Sequence, residues 1–153
     1  MTACSLRSLV DEYFRAWNDH DFPALAQCLS AGFFYRDPLK PMGLDSVGLS
    51  EYLQQFWSAI RGSRIDTGAT LVGDSGGAAC EWVLDGHFQD VSGGRANTRR
   101  HIRLHGVHVF VVRDGAISLA KGYFDLDCLN EQIGRPRREP KLFTTEEVPL
   151  ETS

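Results

Sequence analysis

The sequence predicts an α+β fold in which N-terminal helices pack on a strongly curved antiparallel sheet and enclose an apolar pocket. One observation is an apolar period of three to four residues over roughly the first 60 positions, which indicates helices. Another is the change beyond Ile65 to strand-like runs separated by glycine-rich turns. The length of 153 residues is enough for one domain with its own core. We expect this domain to span residues 1–134.

Two helices are expected before the first strand. The first has a single apolar stripe, formed by Leu6, Leu9, Val10, Tyr13, Phe14 and Trp17. Ser5 is positioned to cap this helix. The second helix is shorter, and its apolar residues are Phe22, Leu25, Ala26 and Leu29. Pro23 falls in its first turn, where the missing N–H of proline is harmless, and Ala31-Gly32 is expected to end the helical pair.

The most informative stretch is Asp37-Pro38, at the end of a short strand expected over residues 33–37. A carboxylate at the end of a strand, followed by a turn residue, is well placed to face an apolar cavity. Asp37 is therefore a candidate general base, and Tyr13 is a candidate hydrogen-bond donor to a developing oxyanion. Simpler roles are open to both, Asp37 as a strand-to-turn residue and Tyr13 as a core aromatic.

The chain between this strand and the final hairpin is expected to contain a loop, a helix and two strands. Residues 38–43, with two prolines, predict the loop. A third helix, ending near Gly62, has the apolar stripe Leu49, Tyr52, Leu53, Phe56, Trp57 and Ile60. Strands are predicted over residues 69–73 and 79–89, and a polar, glycine-rich loop over 90–97.

The last part of the domain predicts a β-hairpin and a helix. Residues 100–112 and 116–124 are β-rich and flank Asp114-Gly115, a strong hairpin turn signal. The final helix has the apolar residues Leu126, Leu129 and Ile133. Residues 135–153 contain three of the six prolines and no periodic pattern, so we expect a flexible extension.

Composition argues against several function classes. The formal net charge of −4 gives no support for nucleic-acid or anionic-membrane partners. The four cysteines form no C-x-x-C pair, and the histidines His87, His101, His105 and His108 lack a metal-ligand spacing. We therefore expect reduced thiols, no metal and no cofactor. No basic segment followed by an apolar core opens the chain, so we expect a cytoplasmic protein.

Over roughly residues 6–134, the order of elements and two short motifs resemble the nuclear transport factor 2-like superfamily. One motif is the stretch from Leu9 to Asn18, and the other is the ending from Asp114-Gly115 to Tyr123-Phe124-Asp125. Within the superfamily, the chain is similar to SnoaL-like polyketide cyclases and to ketosteroid isomerases. The resemblance implies a cone-shaped, cystatin-like α+β fold around an apolar pocket.

The resemblance to the isomerases implies roles for two residues. Those enzymes place an oxyanion-donating Tyr on the first helix and a general-base Asp in an Asp-Pro pair after the first strand, which matches Tyr13 and Asp37. They also hold a protonated Asp before the final hairpin, but residues 104–109 of this chain contain no carboxylate. A neutral histidine from this stretch, His105 or His108, is the alternative donor.

The resemblance to the cyclases implies an acid or base at Asp125, after the last strand. Its candidate partners on the adjacent strand are Arg100, His101, His105 and His108, and a β-bulge would change which of them face it. Asp125 also opens the final helix, so a simple N-cap is the alternative. The candidates for contact with substrate are Trp17, Phe56, Trp57, Trp82, Arg100 and Tyr123.

The functional hypothesis is a cofactor-free acid/base enzyme, an isomerase or cyclase of secondary metabolism that acts on a hydrophobic polyketide-, steroid- or terpenoid-like molecule. Asp37 and Asp125 would divide the acid and base roles, which also suits epoxide-opening cyclisation. An epoxide hydrolase and a non-catalytic module that binds a small molecule or a protein are the alternatives. Val107, Val109 and Val111 alternate along one strand, which predicts an outer face covered in a homodimer.

Overall fold

The computed structural model describes residues 3–89 and 99–135. Its elements are α1 (Ala3–Asn18), α2 (Phe22–Gln27), β1 (Leu29–Asp37), β2 (Lys40–Leu44), α3 (Ser46–Ala59), β3 (Ile60–Val72), β4 (Gly77–Gln89), β5 (Arg99–Arg113), β6 (Ala116–Phe124) and α4 (Leu126–Gln132). The expected loop over residues 90–97 and the expected extension beyond Arg135 lie outside the described residues. No described helix combines the length and apolar character needed to cross a membrane.

The six strands form one sheet in the order β2-β1-β6-β5-β4-β3. The α+β fold, with helices on a curled sheet, is confirmed. The sheet is mixed, however, because β1 pairs in parallel with β6, so that Tyr35 lies beside Ala120. The other neighbouring pairs are antiparallel, as expected. The Asp114-Gly115 turn has positive φ at both residues and joins β5 to β6 at the predicted place.

The helical pair differs from the prediction at its boundaries. Helix α1 begins at Ala3, so the prediction that Ser5 caps it is wrong: Ser5 lies inside its first turn. Helix α2 is capped by Asp21, whose carboxylate accepts the N–H of Ala24 at 3.0 Å, and Pro23 lies in its first turn, as predicted. The pair does not extend to Ala31-Gly32, because β1 already begins at Leu29 and pairs with β6.

The structure has one strand that the sequence pattern does not predict and another that is longer than predicted. The predicted loop over 38–43 is wrong in part, because Lys40–Leu44 turns back on β1 as the edge strand β2. Strand β3 starts at Ile60, directly after α3, whereas the pattern predicts only residues 69–73. Register shifts between Arg61 and Arg64, and again between Thr67 and Thr70, interrupt the alternation that would have revealed it.

The hydrophobic core lies between the helices and the inner face of the sheet. Helix α1 packs on β3 and β4, α3 packs on β3 and β1, and α4 packs on β5. The largest fully buried side chains include Tyr13, Phe110, Leu25, Leu49 and Ile102. On β5, even-numbered residues from Ile102 to Val112 are largely buried, whereas odd-numbered residues face outward. This alternation decides which residues of the final hairpin reach the interior.

Candidate functional site

An internal cavity lies between α1, α3, α4 and the inner face of the sheet. Its volume is about 40 Å³, so the space between its walls is narrow. Most of the wall is apolar and consists of Trp17, Leu39, Leu53, Phe56, Ile65, Trp82, Leu84, Leu104, Phe124 and Leu129. The polar side chains in the wall are those of Tyr35, Asp37, Tyr52 and His108. A narrow apolar space with four convergent polar groups is typical of a small-molecule site.

Asp37 is the carboxylate of this cavity and is only 5% exposed. Strand β1 alternates so that Phe33, Tyr35 and Asp37 are buried, which turns the carboxylate inward at the strand's end. Oδ1 accepts the backbone N–H groups of Leu39 at 2.7 Å and Lys40 at 2.9 Å. These two bonds close the turn into β2 and fix the orientation of the carboxylate.

The second oxygen of the same carboxylate accepts two phenols. The hydroxyl of Tyr35 donates to Oδ2 at 2.6 Å, and that of Tyr52 donates to it at 2.7 Å. Burial is the main cause that raises the pKa of both phenols, and the charge of Asp37 raises it further. Both hydroxyls therefore keep their protons at neutral pH and act as donors, so Asp37 accepts four hydrogen bonds in all.

His108 is the remaining polar side chain of the cavity wall, and it is neutral. Burial lowers the pKa of His108 from 6.5 to about 3. The indole N–H of Trp82 donates to Nδ1 of His108 at 2.7 Å. Because a neutral imidazole carries one proton and Nδ1 is the acceptor, that proton is on Nε2. The site thus holds a fixed neutral N–H donor.

Two glycines make room for these side chains. A Cβ at Gly106 would lie 2.2 Å from the indole of Trp82, so the indole lies directly over the backbone of β5. A Cβ at Gly122 would lie 3.1 Å from His108 and 3.3 Å from Asp37. Gly122 is opposite His108 in the sheet, and the missing side chain lets the imidazole and the carboxylate approach the same point of β6.

Tyr13 is buried beside the cavity. Its ring contacts those of Phe14, Phe110 and His108, and the described cavity wall does not include it. Burial, and then the charge of Asp37, raise the pKa of Tyr13. The phenols that donate to Asp37 are those of Tyr35 and Tyr52. The sequence indicates Tyr52 only as part of a helical apolar stripe and Tyr35 only as a residue of the strand that ends at Asp37. The signal for Tyr35 is its place two residues before Asp37, on the same face of the strand.

Of the residues predicted around Asp125, His108 lines the cavity and the others do not. Asp125 is exposed and caps α4, since Oδ1 accepts the N–H groups of Asp127 at 2.9 Å and Cys128 at 3.1 Å. His105 is exposed on the opposite face of β5 from His108, as its spacing predicts. Tyr123 is 52% exposed on the outer face, and His101 is bound to Asp85 at 2.5 Å on the surface.

The aromatic candidates divide into two groups. Trp17, Phe56 and Trp82 line the cavity. Trp57 lies outside its described wall, where the indole stacks on His20 with ring centroids 4.7 Å apart. Arg100 is exposed, and its guanidinium lies against Gly134 near the end of α4. Among residues 3–89 and 99–135, no group of three or more His, Cys, Asp or Glu side chains could hold a metal ion.

The helices and the curled sheet define an α+β fold of the nuclear transport factor 2-like superfamily. Within it, the chain belongs to the SnoaL-like domain family, whose model matches residues 10–120. Comparison with curated proteins gave no match.

Solved structures share this fold. A candidate polyketide cyclase from Xanthomonas campestris pv. campestris is 22% identical with a TM-score of 0.75, over 84% of this chain and 96% of that one. AclR, a candidate hydroxylase from Streptomyces galilaeus, is 15% identical with a TM-score of 0.75, over 92% of this chain and 91% of AclR. TerC, co-crystallised with polyporic acid, is 15% identical with a TM-score of 0.65, over 84% and 98%. At these identities the similarity establishes the fold alone.

Proposed function

We propose that the protein is a cofactor-independent acid/base enzyme of secondary metabolism that removes a proton from a carbon next to a carbonyl group in a flat, largely apolar molecule. The observation that supports this most is the buried carboxylate of Asp37, oriented by two backbone N–H groups at the wall of a narrow apolar cavity. Isomerisation and intramolecular aldol cyclisation both begin with this proton transfer, so both products are open to the same site.

Asp37 acts as the general base in this proposal. Oδ2 takes the proton from carbon, and the carbonyl oxygen gains the negative charge of an enolate. In isomerisation the proton returns to a different carbon. In cyclisation the enolate carbon attacks a second carbonyl, whose oxygen then takes the proton. The apolar walls exclude water, which strengthens the electrostatic interactions of the charged groups that remain.

The base needs a free lone pair, and Tyr52 is the donor best placed to release one. A carboxylate has about four acceptor positions, and four protein donors occupy those of Asp37. Tyr35 is on the same strand as Asp37, whereas Tyr52 belongs to α3 and is only partly buried. On substrate binding, the Tyr52 hydroxyl moves from Oδ2 to the substrate oxygen, so the number of hydrogen bonds is conserved.

His108 supplies the second donor to the developing oxyanion. Its Nε2–H is neutral, and Trp82 keeps the proton on that nitrogen. A neutral donor stabilises the enolate without transferring a proton to it prematurely. This assigns to His108 the role that the resemblance to the isomerases gives to a protonated carboxyl group.

The test uses a probe with an acidic C–H group and an apolar bicyclic body, 2-tetralone. Exchange of its α-hydrogens in D₂O is followed by NMR with buffer, wild-type protein and Asp37→Asn. We expect the wild type to accelerate exchange above buffer and Asp37→Asn to lose on the order of 10²- to 10⁴-fold of that acceleration, the usual contribution of a general base. Wild-type exchange no faster than buffer, in spite of measurable binding, would contradict the proposal.

A binding module without catalysis is the second candidate, and one observation favours it. The protein's own donors already occupy four acceptor positions of Asp37, which is what a purely structural carboxylate requires. Under this alternative, 2-tetralone or a polyketide-like aromatic raises the thermal midpoint of the protein. The α-hydrogens of 2-tetralone, however, exchange at the same rate with Asp37→Asn as with the wild type.

We further propose that a second copy of the chain covers the outer face of the sheet. Val107, Val109 and Val111 are half-buried there, and Tyr123, opposite Val107, and Phe34 are exposed. Such an apolar face is typical of a homodimer interface. In sedimentation velocity, we expect a dimer for the wild type and a monomer for Val109→Glu. A wild type that stays monomeric at high concentration would contradict this.

A further inference from the structure

A second, more open cavity adjoins the internal one, and we name it the vestibule. The two share four wall residues, which are Leu39, Tyr52, Phe56 and Leu129. The vestibule has a volume of about 400 Å³ and is also lined by Lys40, Gln55, Phe88, Asn130 and Arg135. A molecule in the internal cavity that is longer than this space would extend past Tyr52 into the vestibule.

The vestibule is cationic, although the chain has a formal net charge of −4. Lys40 and Arg135 are in its wall, and its described wall contains no carboxylate. A third cation is close by, because the guanidinium of Arg100 lies against Gly134, the residue before Arg135, and Phe88 pairs with Arg100 in the sheet. Lys40 of β2 and Arg135, which follows α4, thus line one opening, and Arg100 of β5 lies near it.

Lys40 also connects the vestibule to Asp37. Its backbone N–H donates to Oδ1 of Asp37 at 2.9 Å. Its Nζ lies 5.5 Å from the centre of the Tyr52 ring, and the hydroxyl of that ring donates to Oδ2 of Asp37. An anion bound to the Lys40 ammonium would therefore lie at the outer side of Tyr52, with Asp37 on the inner side.

We propose that the vestibule binds a carboxylate of the substrate while the apolar body occupies the internal cavity. The inference rests on the proposed function and specifies its substrate class, an aromatic or polycyclic acid. The apolar wall shared by the two cavities fits an amphiphile better than a free inorganic anion. The cations of the vestibule offset the repulsion that the substrate carboxylate would otherwise meet from Asp37.

The experiment compares two probes of the same shape, 2-naphthoate and its neutral amide, 2-naphthamide, by calorimetric titration of the full chain. We expect the acid to bind the wild type about fivefold more tightly than the amide, the ratio that corresponds to one partly exposed ion pair. Lys40→Met keeps an unbranched side chain of similar length beside Tyr52 and removes the charge. With Arg135→Gln added, the preference for the acid should disappear. Arg113→Gln, at the distant β5–β6 turn, is the matched charge control and should keep it.

The outcomes separate this inference from the proposed function. Equal binding of acid and amide to the wild type would overturn the inference, and 2-tetralone exchange by the wild type would still support the base. An acid preference that survives in the double variant would also overturn it. Absence of binding by both probes would overturn it and count against the proposed function as well. Thermal unfolding of each free variant checks that the fold is intact.

Discussion

Two aspartates lie at the ends of neighbouring parallel strands and are held in the same local way: Asp37 is the last residue of β1, and Asp125 directly follows β6. Each uses Oδ1 to accept two backbone N–H groups of the turn or helix that follows. They differ in what surrounds the rest of the carboxylate: two phenols and an apolar cavity at Asp37, and solvent at Asp125. A capping aspartate thus becomes a candidate base through residues that are distant in sequence.

The sheet explains why only one of the two reaches the cavity. Asp37 lies beside Gly122 of β6. Asp125 is three residues further along, about 10 Å at the rise of a strand. Gly122 and Phe124 face inward, and successive residues of a strand alternate between its two faces. Asp125 therefore falls on the outward-facing side. The expectation that the two acids share one site therefore finds no support in the geometry.

The largest expected difference comes from the same substitution at both positions. In Asp37→Asn, the new NH₂ group faces either the two backbone donors or the two phenols, so buried donors lose their acceptor. We expect the free energy of unfolding in urea to fall by about 1–3 kcal/mol for each donor that loses its acceptor, besides the loss of 2-tetralone exchange. Asp125→Asn is the matched control, since Asn caps a helix as well as Asp does.

The control also decides between the two roles of Asp125. Capping alone predicts that Asp125→Asn changes the free energy of unfolding by less than about 0.5 kcal/mol and keeps the exchange activity. Loss of exchange as large as that of Asp37→Asn would restore the hypothesis that two acids divide the catalysis. The comparison between the two aspartates would then be wrong.

The next largest effect is the pH dependence that His108 confers on stability. Its folded pKa of about 3 is below the reference value of 6.5, so the unfolded chain binds the proton first as the pH falls. The stabilisation is complete above pH 6.5 and is lost toward pH 3, at up to about 1.4 kcal/mol per pH unit. The free energy of unfolding in urea, measured at several pH values, should fall less steeply with falling pH in His108→Gln than in the wild type. The difference in slope corresponds to one proton.

His105 provides the control for this measurement. It is exposed on the opposite face of the same strand, so His105→Gln should keep the slope of the wild type. Equal slopes for wild type and His108→Gln would mean that His108 is not buried as a neutral imidazole. The neutral donor assigned to the site would then be lost.

A smaller effect is expected from removing one of the phenols that bind Asp37 but not Asp125. Tyr52→Phe removes one hydrogen bond to a buried carboxylate, which costs about 1.5–3 kcal/mol. Tyr123→Phe removes an exposed hydroxyl and should cost less than about 0.5 kcal/mol. A double-mutant cycle of Tyr52→Phe with Asp37→Asn isolates the coupling between the two side chains. A coupling near zero would contradict the hydrogen bond itself.

The sequence predicts much of the fold because local burial has a period. The stripes of α1 and α3, the final hairpin and the inward-facing end of β1 all follow from residues close together in the chain. Periodicity does not report which elements meet, so the parallel pairing of β1 with β6 and the edge strand β2 are missed.

The same limit applies to the candidate site. Asp37 is recognisable because a polar residue ends an apolar strand. The different parity of His105 and His108 indicates that one of them faces inward, but not which one. Tyr35 and Tyr52 look like core aromatics, because the sequence gives no sign that their hydroxyls converge on one carboxylate. The indole bond of Trp82 to His108 depends on cross-strand register and on the space above Gly106, which local patterns do not contain.

The smallest expected effect tests the capping role that the two aspartates share. Asp125→Ala removes both acceptor contacts at the start of α4 and should lower the free energy of unfolding by about 1 kcal/mol. Helix α4 contributes Leu129 to the wall of the cavity, so fraying of its first turn should also weaken binding of 2-naphthamide slightly. Asp125→Asn should restore both properties. If Asp125→Ala weakens binding without changing stability, Asp125 contacts the ligand. Both aspartates would then belong to the ligand site, and the assignment of Asp125 to helix capping alone would be wrong.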